Sequence, residues 1–311
     1  MASQIFAMVS SPQARAIDEL LRGSFVICGV IFAIVAGLVG YCVIRFRARG
    51  DREPTQTEGN TRLEFGWTLV PAVVLVGLFA MTTRAVSGSD PPLTGDPDIT
   101  VVAHQWWWEV KYKSGAITAN EIHIPTGKAL TIRVESADVV HDFWVPDLAR
   151  KIDAIPGYPV SIQMQADAPG DYLGTCAEYC GAEHAWMRIL VIAQAPDDYA
   201  AWERHEREPA PPPASEAAAR GERVFRDRTC VRCHAVTGRE DSSASGERVA
   251  PDLTHLGERK TLGAGVMNNT PGELARWLKE PQVVKNGSHM PDVRLTDDET
   301  RDLAAYFGEL K

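Results

Sequence analysis

Two long apolar runs dominate the hydrophobic pattern of the first 90 residues. Residues 23–44 carry no charged side chain and are bounded by Arg22 and Arg45, and residues 65–83 form a second uncharged run. About 20 such residues span a bilayer as a helix, so the pattern predicts a transmembrane hairpin within residues 1–90. The alternatives are a secretory signal for the first run and a buried globular helix containing Pro71 for the second.

The basic residues predict the orientation of this hairpin. The loop at residues 45–64 carries five arginines: Arg45, Arg47, Arg49, Arg52 and Arg62. By contrast, no lysine or arginine lies between Arg84 and Lys111. Because cytoplasmic loops are rich in basic residues, we expect this loop in the cytoplasm and the rest of the chain on the external side. Thiols rarely stay free in that oxidising environment.

The pattern changes twice after the hairpin. Residues 91–200 show short alternating runs separated by Pro, Gly and Asp, which predict an antiparallel β-sandwich. Residues 201–216 are rich in Pro and Ala and are typical of a linker, which spans roughly 20 Å as a coil, so we expect a tail that is not fixed to the sandwich. Residues 217–311 have helical apolar spacing, and Thr296 with Glu299 predicts a capping box.

Composition adds one constraint. The formal net charge is −9 and the hydrophobic content is 45%. An acidic chain argues against nucleic acid as a partner, whereas it permits a basic protein to dock.

A C-x-x-C-H motif opens the tail. Cys230 and Cys233 have the spacing that forms thioethers with the two vinyl groups of one haem, while His234 reaches its iron. A zinc site, a redox-active pair and a chance match are the alternatives. Met290, which precedes a proline, is the best candidate for the sixth iron ligand. His289 and then Met267 are its rivals.

A second cysteine pair lies in the loop "TCAEYCGAEHAWM". Cys176 and Cys180 are compatible with a disulfide, or with zinc if His184 joins them. Met187 favours copper, because a thioether is a soft ligand. A further histidine is needed, and His141 lies in a polar break after a predicted strand. Two thiolates four residues apart are able to bridge two metal ions, each capped by one histidine.

The tail resembles the class I cytochrome c family. The segments "GERVFRDRTCVRCH", "APDLTHLG", "LARWLKEPQ" and "MPDVRLTDDETRDLAAYF" follow that family's order. The resemblance implies an all-α domain in which the Pro251 carbonyl accepts a hydrogen bond from His234. It also shows a departure, because the family's Lys-Pro-Gly reads Lys285, Asn286, Gly287 here.

The hairpin and sandwich resemble subunit II of haem–copper cytochrome c oxidases. The segments "EFGWTLVPA", "HQWWWEV", "VVHDFWVPDL", "KIDAIPG" and "CAEYCGAEHAWM" occur in the family's order and spacing. With the haem tail, the whole chain resembles the fused form of bacterial caa-type oxidases. The resemblance implies a multidomain membrane protein with a two-helix hairpin, a cupredoxin-like Greek-key sandwich and a class I cytochrome c domain.

The same resemblance implies specific residue roles. Cys176 and Cys180 would bridge a binuclear CuA centre, with His141 and His184 as terminal ligands and Met187 as a weak axial ligand. Glu178 would bind copper through its carbonyl and magnesium, shared with subunit I, through its carboxylate. Trp106 would be the residue where electrons enter, and Glu64 would mark the entrance of a proton pathway. The alternative for Trp106 is a tryptophan of the core or of the membrane interface. The alternative for Glu64 is a carboxylate at the interface that has no role.

These observations predict an electron-relay subunit of a proton-pumping terminal oxidase. We expect it in the bacterial inner membrane with its CuA and haem domains on the periplasmic face. Its expected partners are oxidase subunits I and III, membrane lipid, and cytochrome c or a cytochrome c-reducing complex as donor. A nitric oxide reductase subunit and a membrane-anchored copper-delivery protein are alternatives. A nitrous oxide reductase is disfavoured, because its second copper cluster needs many histidines and the chain has 8.

Overall fold

The chain folds into two compact units. The computed structural model describes residues 9–47, 56, 58–91, 93, 95–238 and 249–311. One unit is a helical hairpin, Pro12–Pro91, and the other contains a β-sandwich followed by a helical tail.

The hairpin consists of α1 (Pro12–Arg45) and α2 (Thr61–Ser89). Both helices extend beyond the apolar runs at residues 23–44 and 65–83, because helical hydrogen bonding continues through polar turns that the apolar pattern does not mark. Arg49 and Arg52 of the predicted cytoplasmic loop lie outside the described residues. The most apolar 18-residue window of each helix is 0% buried. Such large apolar faces require lipid or partner helices.

The sandwich confirms the predicted fold class and corrects its strand pairing. One sheet has the order β3-β2-β1-β5-β8 and the other β4-β10-β9-β6-β7. β1 pairs with β5, and β4 with β10, in parallel rather than antiparallel fashion. The alternating pattern identifies strands but does not record which of them become neighbours. The strands are β1 (Ile99–His104), β2 (Trp107–Tyr112), β3 (Ile117–Ala119), β4 (Glu121–Pro125), β5 (Leu130–Ser136), β6 (His141–Trp144), β7 (Ile152–Ala154), β8 (Val160–Met164), β9 (Gly170–Cys176) and β10 (Arg188–Gln194).

The core of the sandwich lies between its two sheets. Trp108, Phe143 and Ile132 are fully buried there. Cys176, Cys180 and Met187 are buried in the same cluster, at the end of the core that β9 reaches at Cys176.

The segment after the sandwich differs from the predicted linker. Helix α3 (Pro196–His205) covers the start of residues 201–216, with Pro196 at its first turn and two acidic residues beside it, which favour helix initiation. Trp202 of α3 stacks on His123 of the sandwich, with ring centroids 4.0 Å apart. Ala210 is buried, and its N–H donates to the Thr237 carbonyl at 3.0 Å. The segment is therefore packed at both ends, because its aromatic and small residues bury apolar surface.

The tail is mainly helical, as predicted. It contains α4 (Glu216–Asp227), α5 (Pro271–Lys279), α6 (Pro281–Val284), α7 (Asp297–Glu309) and a short hairpin of β11 (Thr261–Leu262) and β12 (Met267–Asn268). Thr296 and Glu299 form the predicted capping box of α7. Helices α4 and α7 cross closely at Gly221, where an added Cβ would overlap the Asp302 carbonyl and lie 2.8 Å from the Tyr306 Cβ.

Candidate metal and haem sites

The pairing of β6 with β9 assembles the sulfur site. Cys176 is the last residue of β9 and lies opposite Phe143 of β6, two residues after His141. The loop from β9 to β10 then places Cys180, a 3-10 helix beginning at His184, and Met187 over the same end of the core. The sheet therefore joins His141 to a loop that lies 35 residues later.

Each sulfur of the pair has its own histidine. Cys176 Sγ lies 3.7 Å from Cys180 Sγ and 3.9 Å from His141 Nδ1. Cys180 Sγ lies 3.6 Å from His184 Nδ1 and 3.9 Å from Met187 Sδ. A disulfide needs about 2.05 Å between its sulfurs, and all six cysteines, which lie within the described residues, are free. The Glu178 carbonyl lies 3.2 Å from Cys176 Sγ.

The two thiols of the pair differ in acidity. The hydrogen bond with Cys180 lowers the pKa of Cys176 against the effect of burial, and the same contact raises the pKa of Cys180. The donor atoms of His141, Cys176 and Cys180 all lie within 4.8 Å of one another. Two thiolates, two imidazole nitrogens and a thioether form a soft donor set that fits copper, and the pairing of each sulfur with a different histidine fits two ions.

Asp138 orients His141, a role that the sequence analysis missed. Its Oδ1 lies 2.8 Å from His141 Nε2. Burial would lower the pKa of His141, but the hydrogen bonds to Asp138 and Cys176 raise it above its usual value. A carboxylate only accepts, so Nε2 carries the proton and Nδ1 is left to face the metal. The acidic residue three positions before the histidine was the available signal.

The three consecutive tryptophans occupy different environments. Trp108 is fully buried in the sandwich core, and Trp107 packs in a separate small cluster with Ala119 and Ala264. Trp106 is half-buried, and its Nε1 donates to the Cys180 carbonyl at 3.0 Å. Gln105 Nε2, which the sequence analysis did not single out, donates to the same carbonyl at 2.7 Å. Trp106 is therefore one hydrogen bond away from a candidate copper ligand.

Two acidic candidates lie at exposed positions. Glu178 points its carboxylate outward, and its Oε1 accepts a hydrogen bond from the Tyr179 N–H at 3.1 Å. Glu64 is in the first turn of α2, which begins after the N-cap residue Asn60. Its backbone carbonyl accepts from the Thr68 hydroxyl at 2.8 Å.

The haem motif follows α4. Cys230 lies in a 3-10 helix, Cys230–Arg232, and the next turn places His234 beside Pro251. His234 Nδ1 lies 2.8 Å from the Pro251 carbonyl. Since a carbonyl only accepts, Nδ1 carries the proton and Nε2 is free for iron. Burial lowers the pKa of His234 despite this hydrogen bond, which keeps the imidazole in its neutral, ligating form.

Two of the three candidates for the sixth ligand pack on the core of the tail. Met290 and Met267 contact the same apolar core as Cys230. The His289 ring instead lies against Trp106 of the sandwich, with ring centroids 4.9 Å apart. Met267 lies in β12, paired with Leu262. The residues present fit a covalent haem, because Cys230 and Cys233 are free, burial favours the neutral form of His234, and Met290 packs on the same core as Cys230.

Comparisons with known proteins agree with the order of these modules. A family model described as the transmembrane domain of cytochrome c oxidase subunit II matches residues 1–83. The periplasmic domain of the same subunit matches residues 114–194, and cytochrome c matches residues 218–311.

Individual relatives cover most of the chain. Cytochrome c oxidase subunit 2 of Alkalihalophilus pseudofirmus is 34% identical over 310 residues, which are 96% of this chain and 89% of that protein. The subunit 2 of Bacillus subtilis is 32% identical, covering 87% of this chain and 82% of that protein. The crystallised periplasmic domain of subunit II from Bradyrhizobium japonicum is 28% identical, with a TM-score of 0.36, over 37% of this chain and 96% of that structure.

Proposed function

We propose that this chain, which belongs to the cytochrome c oxidase subunit II family, carries electrons from a haem c in its tail to a binuclear CuA centre in its sandwich. It is an electron-transfer subunit of a haem–copper oxidase, a membrane-anchored oxidoreductase complex, and it assembles with subunit I. The dioxygen-reducing site then lies in subunit I, and its reaction is coupled to proton pumping.

The observation that carries this proposal is the sulfur pair at 3.7 Å with one histidine nitrogen beside each sulfur. Cys176 and Cys180 would bridge the coppers, with His141, His184, Met187 and the Glu178 carbonyl completing the set. CuA, when bound, supplies a centre that takes up and releases one electron. The side chains of Cys176, Cys180, Met187 and His141 are buried, and Asp138 fixes the tautomer of His141.

The tail would hold the haem covalently. Cys230 and Cys233 would form the thioethers, and His234 and Met290 would be the axial ligands. Pro251 orients His234 through the hydrogen bond to Nδ1, which leaves Nε2 for iron. Met290 packs on the core that also contacts Cys230, whereas the His289 ring lies against Trp106, which supports Met290 over His289.

The remaining roles are part of the same proposal. Trp106 is where electrons enter the copper site, supported by its hydrogen bond to the Cys180 carbonyl. Glu178 provides a carboxylate for magnesium at the boundary with subunit I, and Glu64 begins a proton pathway. The sandwich and tail face the periplasm of a bacterial inner membrane. Subunit III and a cytochrome c-type donor are the further partners.

Copper analysis tests the metal assignment directly. The intact chain, purified with its membrane helices, should contain two coppers whose electron paramagnetic resonance (EPR) spectrum shows one unpaired electron shared by both. Cys176→Ser should abolish that spectrum, whereas Cys28→Ser, which alters an exposed cysteine in α1, should leave it unchanged. One zinc per chain, or an oxidised Cys176–Cys180 bond, would refute the assignment.

The haem ligands need a separate experiment. Met290→Ala should change the absorption spectrum of the reduced haem and lower its potential, because a thioether ligand raises the potential. His289→Ala should keep the spectrum. The reverse pattern would assign the iron to His289.

A further inference from the structure

Two described segments of the tail domain, residues 260–265 and 285–289, contact the sandwich. In the first segment, the N–H groups of Lys260 and Thr261 donate to the Glu121 carboxylate at 3.1 and 2.7 Å. Glu121 is 2% exposed. A buried carboxylate is stable only when its oxygens are hydrogen-bonded, and here the tail supplies the donors. This segment therefore favours a docked tail.

The second segment contains a buried lysine. Lys285 is 5% exposed, and its Nζ donates to the Trp106 carbonyl of the sandwich at 2.9 Å and to the Gly263 carbonyl of the tail at 3.2 Å. Lysine is almost never buried unless it is paired. Burial lowers the pKa of Lys285 to about 8 against the attraction of Glu183, so the ammonium form predominates at pH 7. One charged donor thus joins the two domains.

This lysine lies where the two redox sites approach each other. Four residues after Lys285, the His289 ring packs on Trp106, and the next residue is the candidate iron ligand Met290. On the other side, Trp106 is hydrogen-bonded to the Cys180 carbonyl. The contact held by Lys285 therefore connects a haem ligand to a copper ligand through two aromatic rings.

We propose that Lys285 is a positioning residue that holds the haem domain on the Trp106 face of the sandwich and thereby sets the rate of electron transfer from haem to copper. The inference rests on the proposed function. The step moves one electron from the reduced haem to the oxidised copper pair and forms or breaks no bond. Removing the lysine takes the Nζ donor from the Trp106 and Gly263 carbonyls, one in each domain, which weakens docking roughly tenfold.

The test compares Lys285→Met with Lys279→Met in the intact oxidase at pH 7. Lys279 is a matched control, because it is half-exposed on the same domain and pairs with Asp297 of that domain. The haem is reduced with a fast photoreductant, and the appearance of reduced copper is followed by absorbance. Lys285→Met should slow this transfer roughly tenfold or more, with unchanged haem and copper spectra and potentials. Lys279→Met should keep the wild-type rate.

Pulsed EPR supplies a second readout that is independent of turnover. The distribution of distances between the oxidised haem and the copper pair should be narrow in the wild type and in Lys279→Met, and broad in Lys285→Met. A wild-type rate together with a narrow distribution in Lys285→Met would overturn the role of Lys285.

Two further results separate the possible failures. If Lys285→Met does not assemble, Lys285→Gln takes its place, and it should transfer electrons more slowly than the wild type with full haem and copper content. A wild-type rate in that variant would also overturn the role of Lys285. If the wild type itself shows no transfer from haem to copper, the proposed function fails instead.

Discussion

Removal of the Asp138 carboxylate tests the copper site without altering a ligand. Asp138 accepts hydrogen bonds from His141 Nε2 at 2.8 Å and from the N–H groups of Val139 and Gln105, both at 2.6 Å. Partners that orient a ligating histidine typically contribute 10- to 100-fold to metal affinity, or about 1.4–2.7 kcal/mol. Asp138→Ala should therefore weaken copper binding by about 10- to 100-fold. Asp138→Asn should have a smaller effect, because a neutral acceptor remains.

The assay is a competition for copper between a chelator and the full chain in detergent. Asp96→Ala is the control, since the Asp96 side chain is 85% exposed and pairs only weakly with Lys113. Circular dichroism and haem absorbance should match those of the wild type in each variant, which separates lost affinity from misfolding. An affinity for copper within twofold of the wild type in Asp138→Ala would refute the proposed orientation of His141.

Two further predictions concern stability. Gly221→Ala should lower the free energy of unfolding of the tail by about 1–3 kcal/mol, because the added Cβ overlaps α7, whereas Gly272→Ala meets open space and should be neutral or stabilising. Chemical unfolding followed at the haem checks both, and equal midpoints would contradict the close crossing of α4 and α7. Burial lowers the pKa of His123 from 6.5 to about 4. Between pH 6.5 and about 4 the unfolded chain therefore binds more protons than the folded chain, and the sandwich loses stability as the pH falls through this range. His123→Phe keeps a ring at this position and should reduce the loss between pH 7 and 4.5 in thermal unfolding, and an unchanged loss would contradict the assignment.

The sequence was most informative where the chemistry is local. Cys230, Cys233 and His234 are contiguous, and Cys176, Cys180, His184 and Met187 lie within one loop, so spacing alone indicates which atoms meet. The two uncharged runs likewise predict the hairpin helices, because a bilayer selects for length and apolarity. The helix ends were less predictable, since polar turns continue both helices beyond the apolar runs.

The tertiary structure decided which distant residues meet. Strand pairing brings His141 to Cys176. Asp138 lies only three positions before His141, but that spacing does not by itself show that the carboxylate meets the ring. The segment predicted to be an unattached linker packs against the sandwich. Trp202 of α3 stacks on the ring of His123, which lies in a strand far away in sequence.

The docking of the tail is the clearest case. Lys285 and Trp106 are separated by 179 positions, and their contact joins two separately formed cores. The sequence by itself determined the ligand types, the membrane helices and the kind of domain that each segment forms. Which domains contact each other depends on how their folded surfaces bury polar and apolar groups against one another. The free energy of that burial is shared among residues far apart in the chain, so no local pattern reveals it.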